Sequence, residues 1–179
     1  MSSDTHREEP ASDLSTWTVD QLQAFIHDVC GQQLETARVA AQGHAYNSSH
    51  PQKVRRQWAK LSLLASRRMF DHADGRAARL AQQEFMLRLW VIDRLGPDDT
   101  DTDWSPEALA CDTLDALAFT SPQAAGLAES WRDLPTEQIR ELRRHKNLTA
   151  HLESLVDYLA PGPAREQLLT WTAIRLLLP

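Results

Sequence analysis

A chain of 179 residues, 42% hydrophobic and 25% charged with a net charge of -6 at pH 7, is long enough to bury a sizeable core without disulfides or a structural metal. A mean hydropathy of -0.47, with no run near the roughly 18 apolar residues of a spanning helix, excludes an integral membrane protein. With no basic start and apolar run at the beginning, a cytoplasmic location is expected.

In chain order, residues 1–15 are polar and acidic (Asp4, Glu8, Glu9, Asp13) and too poor in apolar groups to offset the entropy of ordering, which predicts a disordered tail. Thr18 followed by Gln21 reads as a capping box, and Leu22, Phe25, Ile26 and Val29 recur at helical spacing, predicting a first helix over 19–42. After a polar connector, His44 to His50, Pro51 opens a second helix over 51–71, with Val54, Trp58, Leu61, Ala65 and Met69 on one face. Asp74 is the expected cap of a third helix over 75–95, whose apolar side is Leu80, Phe85, Met86, Leu89, Trp90 and Ile92. Gly96-Pro97 ends it.

An acidic loop, Asp98 to Asp103, leads to Ser105-Pro106-Glu107, which combines a cap, a first-turn proline and an acid at the positive end of the helix dipole. Ser121-Pro122 repeats the device for a short fifth helix. Pro135-Thr136-Glu137 starts a sixth, running to about Leu159 with Ile139, Leu142, Leu148, Leu152 and Leu155. Pro161-Gly162-Pro163 closes it, and a last helix over 164–177 carries Leu168, Leu169, Trp171 and Ile174, with Leu176-Leu177-Leu178 at its end. No segment shows the alternating β-branched pattern of a strand and no solenoid repeat is present. The expected fold is all-α, a compact bundle of about seven helices in one domain over residues 16–179.

Charge is segregated. Residues 1–49 carry a net -5, residues 50–96 +6, residues 97–137 -9 and residues 138–179 +2. One reading is that Arg55, Arg56, Lys60, Arg67 and Arg68 present a basic face to a partner, an acidic protein first and nucleic-acid phosphates second. The other is that the acidic segments fold back on this hairpin and neutralise it. The sequence pI of 5.6 opposes the basic signature of most nucleic-acid binders.

Few residues suggest chemistry. Cys30 and Cys111 form no CxxC pair and point to two buried free thiols. His27 and Cys30 share one helical face, as half a metal site would, but no second half accompanies them, so Cys30 is expected in the core and His27 at its boundary. No metal and no cofactor is expected. Six tryptophans are present, Trp17, Trp58, Trp90, Trp104, Trp131 and Trp171. Trp58, Trp90 and Trp171 read as core, and Trp104 beside the acidic loop reads as an anchor for a partner or the wall of a pocket. The preponderance of arginine over lysine, with abundant alanine, suggests a GC-rich bacterial genome.

The segment Arg144-His145-Lys146-Asn147-Leu148-Thr149-Ala150-His151 resembles the arginine, polar residue, spacer and histidine motif of the HEPN family of helical ribonucleases. The resemblance implies metal-independent RNA cleavage in a dimer cleft. Arg144 would then hold the scissile phosphate, His151 would handle the proton of the ribose 2′-hydroxyl, and His145 would fill the polar position. It spans 8 residues, and pairs at similar spacing recur at Arg38/His44, Arg67/His72 and Arg140/His145, so a helix-stabilising solvated face explains it as well.

No glycine-rich phosphate loop, nucleophile elbow, zinc-protease pair or dinucleotide fingerprint occurs. The leading expectation is therefore a non-enzymatic regulatory or adaptor protein acting through protein–protein contacts. An RNA binder or ribonuclease, and a helical protein with a tryptophan-lined small-molecule pocket, are the alternatives.

Overall fold

The computed structural model describes residues 14–70 and 77–179, with side chains from residue 83 onward in the second of these stretches. Among the described residues the chain is all-α, with nine α-helices and no strand. The contacts divide the chain into two compact units, one ending at Met69 and one running from Phe70 to Pro179.

The first unit holds a 3-10 turn (Leu14–Thr16), α1 (Val19–Asp28), α2 (Gln32–Tyr46) and most of α3 (Gln52–Phe70). Leu14 is already buried, so the expected disordered tail stops short of it; the rest of that expectation lies outside the described residues. The capping box at Thr18 forms as its spacing requires: the Gln21 amide donates to Thr18 Oγ1 at 3.3 Å and the Thr18 amide to Gln21 Oε1 at 2.8 Å.

The single helix expected over 19–42 is two. Gly31 adopts φ 55°, a left-handed conformation that glycine reaches without Cβ strain, and the chain restarts as α2. Cys30 lies in this break and is exposed, as is Cys111, so neither thiol is in the core. The break is tolerated because Arg68 donates to the carbonyl of Ile26, one of the four at the end of α1 that no intrahelical amide reaches. In α2, Ala37, Ala41 and Ala45 form a buried stripe at four-residue spacing. Arg55 donates to Ala45 O at 2.8 Å and covers the end of that helix in the same way. Elsewhere on α2, half-buried Arg38 forks onto both Glu35 oxygens at 2.7 Å, which holds the carboxyl below its ordinary range.

The second unit holds α4 (Ala77–Leu95), α5 (Pro106–Asp115), α6 (Ser121–Glu129), a 3-10 turn (Trp131–Asp133), α7 (Thr136–Thr149), α8 (Leu152–Val156), α9 (Pro163–Ile174) and a 3-10 turn (Arg175–Leu177). The cap expected at Asp74 and the side chain of Leu80 lie outside the described residues. One core joins these helices. It contains Phe85, Leu89 and Ile92 of α4, Leu109 of α5, Leu142 of α7, Leu152 and Leu155 of α8, and Leu168 and Trp171 of α9. Met86, expected on the apolar side of α4, is exposed, and Trp90 is half-buried. Ser105 caps α5 as expected, whereas α6 is capped one residue earlier than read, by Thr120 with Gln123 completing the box.

The sixth predicted helix is also interrupted, ending at Thr149 and resuming at Leu152. Buried Thr149 donates its hydroxyl to His145 O at 2.8 Å, and the Ala150 amide turns back to Asn147 O at 3.3 Å, tightening the last turn. No glycine or proline marks this break, so spacing alone passes over it.

The acidic loop is built around one buried cation. Arg88 of α4, 3% exposed, donates to Asp103 O at 2.9 Å, to Thr102 O at 2.8 Å and to the Asp112 carboxylate at 2.5 Å. Asp98 and Asp101 close local turns by accepting from the amides of Thr100 and Asp103. Trp104 follows directly and is 2% exposed. A buried indole is not a surface anchor for a partner. Replacing Arg88 by Met is expected to cost about 2–4 kcal/mol in urea unfolding, because two loop carbonyls lose their donors. Arg88→Lys is expected to recover less than half of that, since an ammonium cannot reproduce the fork; equal stability of the Lys variant and the wild type would contradict this account.

Candidate functional site

Arg144, His145 and His151, singled out in the sequence, occupy three different environments. His145 is fully buried. Its Nδ1 lies 2.8 Å from Glu141 O, and the Phe119 amide lies 3.2 Å from its Nε2. A carbonyl only accepts and an amide only donates, so the proton sits on Nδ1 and the lone pair on Nε2. Burial pushes the imidazole below its ordinary value, and Arg144 adds to this, while the Glu141 carbonyl and carboxylate oppose it. His145 is thus a neutral bracket between α7 and the α5–α6 connection.

Arg144 donates to Ala116 O at 3.0 Å, beyond the end of α5, and pairs with Glu141 Oε1 at 2.6 Å. His151 is exposed in the break between α7 and α8. Arg144 and His151 therefore do not share one uninterrupted helical face, the arrangement on which their pairing was expected.

The basic residues of α3 are likewise distributed. Lys60 is exposed, and Arg55, Arg56, Arg67 and Arg68 are half-buried. Arg55 and Arg68 each donate to a helix-end carbonyl, as described above. On the same helix Trp58 stacks under His44, ring centroids 4.2 Å apart and planes 19° from parallel. His44 Nδ1 lies 3.5 Å from His50 Nε2. These two histidines read only as connector in the sequence, because their meeting depends on the turn at Asn47–Ser49. His27 is exposed beside exposed Cys30, and no group of three or more metal-ligating side chains occurs among the described residues.

Three open features stand out among the described residues of the second unit. The first is a cavity of about 400 Å³ walled by Leu114, Leu117, Phe119 and Trp171, with Thr120, Ser121 and Gln167 among its polar lining. His145 stands behind its aromatic wall, 5.4 Å from the ring centroids of both Phe119 and Trp171. The second is the segment after α9. Leu176 and Leu177 are 81% and 59% exposed, whereas Leu178 is 2% exposed and belongs to the core. Both flanks of the exposed pair are tied. Arg175 donates to Ala150 O at 2.8 Å, and Lys146 donates to Leu178 O at 2.8 Å. The third is a shallow hollow of about 340 Å³ on α8 and α9, containing Val156 and exposed Leu169 with Glu153, Asp157 and Arg165.

No helix among the described residues is long and apolar enough to cross a membrane. No family model, curated protein or solved structure matches the chain.

The state of His145 makes a measurable statement. The folded protein binds the imidazole proton less readily than the unfolded chain, whose histidine titrates near the ordinary 6.5. Below that pH the unfolded state takes up more protons, so stability is full above 6.5 and falls on acidification until the folded histidine itself titrates. Melting temperature measured from pH 8 to pH 5 is expected to drop through this window. His145→Phe, which leaves the Phe119 amide without its acceptor, is expected to lose about 1–3 kcal/mol at pH 8 and to show a shallower acid limb; an unchanged limb would exclude His145 as its source.

Proposed function

We propose that this chain is a non-enzymatic adaptor or regulatory protein that works by protein–protein contact. The observation that carries the proposal is the leucine pair after α9. Scattered exposed apolar residues are ordinary on a soluble surface. Leu176 and Leu177 differ in being fixed: the residue before them and the residue after them each engage a helix partner through hydrogen bonds, and Leu178 is in the core. A turn held this way presents two large apolar side chains with little ordering entropy left to lose on binding. The fitting partner is a protein with an apolar groove.

The chemistry-bearing side chains support the same reading through their engagements. Both nitrogens of His145 are bonded, and the Arg144 guanidinium holds a carbonyl and a carboxylate. The basic residues of α3, with Lys60 exposed, supply a positive surface that favours an acidic partner, acting on encounter rate more than on affinity.

Burying a leucine stabilises a complex by about 1.5–3 kcal/mol. The double variant Leu176→Ser, Leu177→Ser is therefore expected to lower partner capture from native extract at least about tenfold, with its melting temperature unchanged. Lys60→Glu is expected to give a smaller, salt-dependent loss. A wild-type protein that runs as a monomer with no specific macromolecular partner in that extract would end the proposal.

A further inference from the structure

The cavity between the α5–α6 connection and α9 has properties that the adaptor reading does not use. We infer that it is a binding site for a small, uncharged aromatic molecule of one to three rings with a polar edge.

Its size and composition set the class. A volume of about 400 Å³ falls in the range of cavities that hold small-molecule ligands, about 300–1,000 Å³. The apolar part consists of Leu114, Leu117, Phe119 and Trp171, of which the first three are only half-buried by the protein itself. Two aromatic rings meeting one cavity favour a flat guest, which gains stacking or edge-to-face contact beyond area burial. The polar part consists of hydroxyls and amides, including Ser121 and Gln167. These donate and accept but do not neutralise charge. None of the lining residues is ionisable, although 25% of the chain is Asp, Glu, Lys or Arg. A carboxylate or ammonium entering here would give up water with no counter-charge in the lining, which is costly. A neutral guest carries no such penalty.

The walls are also built in advance. The Phe119 backbone is bonded to His145 and its ring leans on the imidazole, which in turn contacts Trp171. On the other side of the connection, Thr120 and Gln123 lock the start of α6 through their reciprocal cap. The neutral histidine thus acts as a positioning residue for both aromatic walls. A site held this way loses little entropy on binding.

The test uses two fluorescent probes that share a skeleton and differ in charge. N-phenyl-1-naphthylamine is neutral, and 8-anilinonaphthalene-1-sulfonate adds a sulfonate. The neutral probe is expected to bind the full chain saturably at one site, with the sulfonate at least tenfold weaker. Ala118→Trp places an indole in the cavity from an exposed lining position. It is expected to lower neutral-probe affinity at least tenfold without a change in melting temperature. Gln167→Trp, from the exposed face of α9, repeats the test if the first variant is unstable. The double variant Leu176→Ser, Leu177→Ser is expected to bind the probe as the wild type does, which separates this site from the leucine turn. The inference is overturned by any of three results: no saturable binding up to the solubility limit of the probe, equal or tighter binding of the sulfonate, or binding indifferent to both cavity-filling variants.

Discussion

The described helices repeatedly meet one constraint: the last carbonyls of a helix have no amide of their own helix to accept from. Short helices meet it more often per residue than long ones. Here the answer is cationic and comes from elsewhere in the same unit. Arg68 covers the end of α1, Arg55 that of α2, Arg144 the carbonyl after α5 and Arg175 the carbonyl after α7. Lys146 does the same for Leu178 O, and Arg88 for two carbonyls of the acidic loop. A positive group at this end of a helix also complements the macrodipole. Guanidinium suits the task because its five donors allow it to hold a carbonyl and a carboxylate at once, as Arg88 does with the loop carbonyls and Asp112.

This arrangement changes what the arginines mean. Clustered in sequence, they suggest a surface for an acidic partner or for phosphates, yet several of them close helix ends. The acidic loop is organised in turn by Arg88, so part of the charge segregation along the chain is resolved by pairing within the second unit. Two apolar features of the second unit stand apart from these engagements: the leucine pair after α9 and the cavity between Phe119 and Trp171. The two features share α9 and the supports around it. Arg175 and Lys146 fix the turn, and His145, one residue from Lys146, fixes the cavity wall.

Much of the local structure was legible from residue type and spacing. The all-α class, the box at Thr18 and Gln21, the start of α5 at Ser105-Pro106 and the stop at Gly96 rest on interactions within a few residues of each other. The signals that failed were of two kinds. Gly31 and Thr149 interrupt expected helices, and each has an alternative that spacing cannot weigh: a glycine inside a helical pattern, or a threonine hydroxyl that competes for backbone acceptors. Neighbours in sequence mislead about burial where a side chain's environment comes from distant segments. Cys30 and Met86 have apolar neighbours in sequence but are exposed, whereas Trp104, beside five acids or hydroxyls, is buried.

The sequence by itself determined that this chain is helical, roughly where its helices start, and that its charge is unevenly placed, because capping, periodicity and composition act over one or two turns. Only the tertiary structure decided what the polar side chains of α3 and α7 do. Whether Arg144 is available to a phosphate or holds Ala116 O, and whether His145 is a solvated polar residue or a neutral bracket for Phe119, depends on segments 26 to 28 residues away. Those partners arrive only when the core of Leu142, Leu155, Leu168 and Trp171 closes. The loss of water on closure then makes a partner worth having for a buried polar group such as the His145 imidazole.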